Sequence, residues 1–334
     1  MSDDMLLEVT DLHAYIGSPK GVVKAVDGVS LHVRRGEALG IVGESGSGKS
    51  VMARAIMGLM PARSDRTGEV SYKGRDLLGL KRKELQEIWG PEIAMVFQDP
   101  GRSLNPVVRV ERQLTEGMRR HLGVSRSEAN TRALDLLREV GVPDPERRLR
   151  AYPHELSGGM RQRVMIAVAL SCEPSLLIAD EPTTALDVTI QRQVLDLLRR
   201  VQTERGMSLL LISHDLHVVA GRTDRTAVMY AGRLAEIGES HVVFNDPQHR
   251  YTTALLGATP SIDHVRHAPL AVIPGSLPSP TEPPPGCRFA PRCAAASEAC
   301  TEAQPAMVEV DVDRDHAVAC FHPTNTREGE LVGW

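Results

Sequence analysis

Gly43-Glu44-Ser45-Gly46-Ser47-Gly48-Lys49-Ser50 reads G-x-x-x-x-G-K-S, the pattern of a phosphate-binding loop. The run before it, Leu39-Gly40-Ile41-Val42, is short and apolar, as a buried strand is. The run after it, Val51 to Met60, predicts a helix that stops at Pro61. Strand, loop and helix together are the context the pattern requires. Glycines let the backbone approach phosphate closely, and successive N–H groups at a helix N-terminus form an anion nest. The pattern assigns Lys49 to the β- and γ-phosphates and the Ser50 hydroxyl to Mg²⁺.

Upstream, residues 5–40 alternate as strands do: Leu6–Val9, Val22–Val26 and Val29–Val33, punctuated by Gly17, Gly21 and Gly28. A small antiparallel sheet is expected there. Tyr15 is the candidate aromatic for stacking on an adenine ring; packing within the strand is the plainer reading. Downstream, residues 68–76 predict a hairpin, and Ile93–Phe97 a strand closed by Gln98-Asp99-Pro100. A Gln just past a strand end can complete a Mg²⁺ shell or position a water molecule. From about Val107 to Cys172 the pattern becomes helical, with Ser125 and Glu128 forming a capping box. Ser157-Gly158-Gly159 opens the last of these helices and makes a second anion-binding N-terminus.

Leu176-Leu177-Ile178-Ala179 is a buried strand ending in Asp180-Glu181. Open α/β sheets place ligands at such strand ends. There Asp180 can support the Mg²⁺ shell through water, and Glu181 can act as general base on an attacking water. A further strand, Ser208–Ser213, ends at His214, which is placed to touch a γ-phosphate. Ala227–Tyr230 and Arg233–Ile237, split by Gly232, predict a closing hairpin. The fold expected is α/β, with an antiparallel β subdomain, an inserted helical segment over about 107–172, and a small C-terminal extension.

The 334 residues suffice for one large domain with an appendage, or for two. A net charge of −4 provides no global field to recruit nucleic acid or anionic lipid. No apolar run approaches the ~18–20 residues that span a bilayer. Met1-Ser2-Asp3-Asp4 is acidic and lacks a signal-peptide core, so a cytosolic or peripheral location is expected. Cys172, alone in an apolar helical run, reads as a small buried hydrophobe. After residue 258 prolines become dense at 274, 278, 280, 283, 284 and 285, with Pro269 nearby, a stiff linker-like stretch. It leads to Cys287, Cys293, Cys300 and Cys320. In a reducing compartment four clustered cysteines argue for metal over disulfide. Their spacings of five, six and nineteen residues lack the close pair that structural zinc favours. A 4Fe–4S cluster is therefore expected, with zinc and unligated thiols as the alternatives.

Taken together, the motifs resemble the ATP-binding subunits of ABC transporters over nearly the whole chain. The residues carrying the resemblance are Gly43–Ser50, Gln98, Leu156–Met160, Leu176–Glu181, Asp187 and His214, in that order. Met160 stands where the family signature usually has Gln. That variant, with Gln98-Asp99-Pro100, Ser103–Pro106, Asp187–Gln191, His249–Thr252 and the C-terminal cysteines, resembles the oligopeptide/dipeptide/nickel importer branch. The family's aromatic before the loop aligns with Ile16, one residue after Tyr15. The resemblance implies a cassette over 1–257 and an extension over 258–334, with ATP and Mg²⁺ as ligands. It also implies a dimer with a second homologous ATPase, in which each phosphate loop faces the partner's Ser157-Gly158-Gly159 equivalent. Two permeases, an extracytoplasmic binding protein and a position on the cytoplasmic membrane face complete the implied assembly. Peptide is the implied cargo. A non-transport cassette acting on nucleic acid, or a phosphate-loop kinase, is the competing class. The first would carry a basic face or fused nucleotide domains, and the second would have no use for the Ser157-Gly158-Gly159 segment.

Overall fold

The computed structural model describes residues 4–184, 186–258, 272–312 and 314–324, the side chain of His217 excepted. Met1–Asp3 and Pro269, both used above, lie outside the described residues, as do parts of the 258–334 extension. In chain order the strands are β1 (Met5–Ser18), β2 (Gly21–Arg34), β3 (Ala38–Val42), β4 (Ser64–Tyr72), β5 (Arg75–Asp76) and β6 (Ile93–Val96). They continue with β7 (Leu176–Asp180), β8 (Ser208–Ser213), β9 (Arg225–Tyr230), β10 (Arg233–Glu239), β11 (Val308–Asp311) and β12 (His316–Val318). The chain divides into two compact units.

The first unit contains Val33–Ala38 and Gly79–Ile212. Its strands β6, β7 and β8 pair in parallel, with Ile178 opposite both Met95 and Leu210. Every residue of the three is buried, so they show no alternation, as expected of parallel strands covered on both faces. The helical insertion is present as helices Val110–His121, Arg126–Glu139, Pro145–Leu149 and Gly158–Leu170. The Ser125 hydroxyl caps the second of these by accepting the Glu128 N–H at 3.2 Å. Cys172 is buried, as expected.

The second unit contains Leu7–His32, Leu39–Leu78 and the described residues from Ser213 onward. It holds two sheets. In the first the strand order is β2-β1-β4-β5, and β1 runs antiparallel to β4 with Val9 opposite Val70. The three strand pieces expected from residues 5–40 are in fact two long strands, because Gly17 and Gly28 do not interrupt them. The ladder bends instead at a bulge between Thr10 and His13, where Asp11 takes a left-handed φ of 48°. The β4–β5 hairpin turns at Lys73-Gly74, φ 51° and 78°, the two positive values that a tight hairpin turn needs.

In the second sheet of this unit β3 lies parallel to β9, and β10 is antiparallel to both β9 and β12. β11 closes on β12. The C-terminal extension thus adds two strands to an existing sheet edge, where the sequence analysis found only a stiff, linker-like stretch and the cysteines. Glu236 on β10 is fully buried and satisfied: its carboxylate accepts the N–H groups of Gln248 and His249 and meets His316 Nε2 at 2.8 Å. The helix after the phosphate loop spans Lys49–Met57, ending before Pro61 is reached. Gly58, at φ 71°, ends it by a left-handed cap, with Leu59 N–H bonded to Arg54 O. Among the described residues no helix is long and apolar enough to cross a membrane.

Candidate nucleotide site

In the second unit the phosphate loop joins buried β3 to the helix Lys49–Met57. Two of its glycines are obligatory. Gly43 (φ 151°) and Gly48 (φ 103°) hold conformations closed to other residues, and a Cβ on either would lie 2.1 Å from a backbone oxygen, of Met229 and Ala25 respectively. Lys49 is 3% exposed and folds over the loop. Its Nζ donates to Gly43 O at 2.7 Å, Glu44 O at 2.9 Å and Ser47 Oγ at 3.3 Å. Ser45 and Gly46 form the exposed tip of the loop, and Ser50 follows Lys49 in the first helical turn. A cradle that only backbone can line, with an ammonium folded over it and a hydroxyl beside it, fits a triphosphate with Mg²⁺.

In the first unit Asp180 ends β7 and is fully buried. Glu181 follows in a left-handed conformation at φ 45°, the kind of backbone strain found at functional positions. The structure brings Gln98 and Glu181 together: Gln98 Nε2 donates to Glu181 Oε2 at 2.8 Å. Thr184 Oγ1 donates to the same oxygen at 3.0 Å. Sequence reasoning missed Thr184, whose only signal was its place three residues past the acidic pair. Ser157 and Gly158 are exposed, and the Ser157 hydroxyl caps its helix by accepting the Met160 N–H at 3.3 Å. Gly159 packs tightly, with space for a Cβ limited to 3.0 Å from Ile190. Asp187 caps the helix Val188–Arg205 through the Ile190 N–H at 2.9 Å. His214, just past β8, is exposed.

Tyr15 is half-buried on β1, and its hydroxyl donates to Asp27. Burial and this bond push the tyrosine up to about 12. Burial works to raise the Asp27 carboxyl, but the Tyr15 bond and the Arg288 and Arg233 charges hold it below its ordinary value. Arg288, from the extension, pairs with Asp27 and also donates to Ala231 O. Tyr15 therefore sits in a polar knot that ties the extension to β2.

The 4Fe–4S expectation is not supported. Among the described residues no group of three or more His, Cys, Asp or Glu side chains is arranged to hold a metal ion. Cys287, Cys293, Cys300 and Cys320 are free thiols. Cys320 Sγ accepts the His322 N–H at 3.4 Å, and Cys300 Sγ lies 3.6 Å from Ser297 Oγ. Burial first, then the proximity of Cys320 and Cys300, pushes the Cys287 thiol up to about 11, and burial also raises Cys320. The spacing in sequence shows which thiols share the module and does not by itself establish a ligand set.

A buried strand, a glycine cradle under a folded-over lysine, and an acidic strand end define a phosphate-loop nucleotide hydrolase of the ATP-binding cassette type. Residues 26–184 match the family model described as ABC transporter, and 235–300 match the oligopeptide/dipeptide transporter C-terminal region. The probable peptide ABC transporter ATP-binding protein y4tR of Sinorhizobium fredii is 50% identical over 98% of this chain and 97% of its own. The dipeptide transport ATP-binding protein DppD of Bacillus subtilis is 48% identical over 95% of each. A dimeric ATP-binding cassette solved in a post-hydrolysis state with ADP and Pi superimposes with a TM-score of 0.64. It is 28% identical and covers 70% of this chain and 99% of its own. The chain belongs to the ABC transporter ATP-binding family, in the branch that carries the oligopeptide/dipeptide C-terminal region. It is an ATPase.

Proposed function

We propose that this chain powers peptide import through an ABC transporter, by ATP-driven closure of a dimer of ATPase subunits. The observation that carries this reading is the buried Lys49 folded over a loop whose Gly43 and Gly48 admit no side chain. The relatives support the cargo, since their names specify peptide and dipeptide transport. Roles follow from the residues. Lys49 and the loop N–H groups of Gly43–Gly48 bind the phosphates. Ser50, Gln98 and Asp180 would hold Mg²⁺ directly or through water, and the ion neutralises phosphate charge when bound. Glu181, its carboxylate oriented by Gln98 and Thr184, takes a proton from the attacking water. His214 contacts the γ-phosphate.

Ser157, Gly158 and Gly159 complete the partner subunit's site, a role that suits the exposed helix N-terminus they form. Residues 1–257 form the cassette and 258–334 the extension. The partners are two permeases, a second homologous ATPase in a heterodimer and an extracytoplasmic binding protein, with the chain on the cytoplasmic membrane face. The test is Glu181→Gln in the assembled transporter. The amide keeps an oxygen for Gln98 and Thr184 but loses the base, so ATP binding is retained and hydrolysis falls by ~10²–10⁴. The complex accumulates closed and ATP-bound. Wild-type turnover in this variant would remove Glu181 from the role.

A further inference from the structure

Glu44 lies inside the phosphate loop, and none of the roles above uses its carboxylate. The structure gives that carboxylate one strong partner, Arg292, from the C-terminal extension. Arg292 Nη1 donates to Glu44 Oε2 at 2.7 Å and Nη2 to Oε1 at 3.1 Å, a two-pronged pair. The Arg292 side chain is 5% exposed and the Glu44 side chain 26%. The remaining donors of the guanidinium are also used: Nε bonds Pro274 O at 2.8 Å, Nη2 bonds Ile273 O at 3.3 Å and Nη1 bonds the Tyr230 hydroxyl at 3.2 Å. All five N–H groups of the fork are therefore committed, which fixes its orientation.

Glu44 is gripped at two further points. Its N–H donates to the Tyr251 hydroxyl at 2.9 Å, and its carbonyl accepts Lys49 Nζ at 2.9 Å. Phe289 of the extension packs on Tyr230 and Tyr251, with ring centroids at 5.3 and 5.4 Å. The proline-dense stretch also reaches the loop: a Cβ built on Gly46 would meet Leu277 at 3.6 Å. One loop residue thus links the extension's arginine to the lysine that binds phosphate.

We propose that the C-terminal extension positions the phosphate loop, with Arg292 acting through Glu44 to set the backbone geometry that receives the nucleoside triphosphate. Arg292 is a positioning residue: it touches the loop's side chain and tunes affinity for ATP. The inference rests on the phosphate-loop reading, deepening it by making the extension part of the nucleotide site.

The experiment measures the Kd for Mg-ATP, and kcat at saturating ATP, on the full chain and its assembled transporter. Arg292→Ala weakens ATP about tenfold, the scale of a lost charge-assisted bond, with kcat within about twofold. Arg292→Lys recovers part of the loss. Glu44→Gln, which leaves the extension's own bonds in place, weakens ATP to a similar degree, and adding Arg292→Ala to it changes little more. Unchanged affinity in Arg292→Ala and Glu44→Gln overturns the proposal, as does an Arg292→Ala effect of equal size in the Glu44→Gln background. Lys49→Ala separates the two readings. If it abolishes ATP binding while the Arg292 and Glu44 variants bind normally, only the positioning role fails; if it binds ATP normally, the phosphate-loop reading fails with it.

Discussion

Acid should loosen this protein at His249 before it reaches the carboxylates. The ring is fully buried, and burial pushes its pKa from 6.5 down to about 4, against the opposing pull of Glu236. Its Nδ1 accepts the Tyr251 N–H at 3.0 Å and caps the helix Arg250–Gly257. A protonated Nδ1 cannot accept, so charging the ring also removes the cap. The unfolded chain takes up a proton below about pH 6.5, and the folded chain does so only near pH 4. The stabilising contribution is therefore complete above pH 6.5 and is lost as pH falls from 6.5 to about 4. The full loss is about 3 kcal/mol, and about 2 kcal/mol of it has gone by about pH 5. Urea unfolding from neutral to acidic pH reads this directly. His249→Asn keeps an acceptor for the cap and removes the titration. It should be less stable at neutral pH, because the smaller side chain leaves space in the core, but its stability should vary less down to about pH 5. Parallel loss in wild type and variant over that range would refute the assignment.

Gly48→Ala should abolish ATP binding and lower the melting temperature of the full chain, because its Cβ would lie 2.1 Å from Ala25 O. Wild-type affinity in an equilibrium titration would mean the cradle is looser than the geometry requires. Ser157→Arg should leave ATP binding to the isolated chain intact, since Ser157 is exposed and its hydroxyl caps its own helix, while blocking ATPase activity of the assembled transporter. Lost binding in the isolated chain would place that segment in the chain's own site.

The local chemistry was legible from the residues alone. Gly43–Ser50, Gln98, Ser157–Gly159 and Asp180-Glu181 each sit where strand, loop and helix signals put them, because those signals are short-range: apolar runs, capping hydroxyls and glycines at forced φ values. Cys172 in the core follows from the same local reasoning. Three features depended on long-range packing. Gly17 and Gly28 looked like strand breaks, yet both lie inside long strands, and the β1–β4 ladder is irregular instead at Asp11, opposite a strand that no short sequence window shares with it. The extension read as a stiff, linker-like stretch leading to four cysteines, but β12 pairs onto the edge of β10 and β11 onto β12. Arg292 is 248 residues from Glu44, and nothing near either residue signals the pair. Sequence by itself picked out the candidate groups for binding phosphate and moving a proton. Tertiary structure alone decided what holds those groups in place, because distant partners are selected by burial and by the need to satisfy every polar group it encloses.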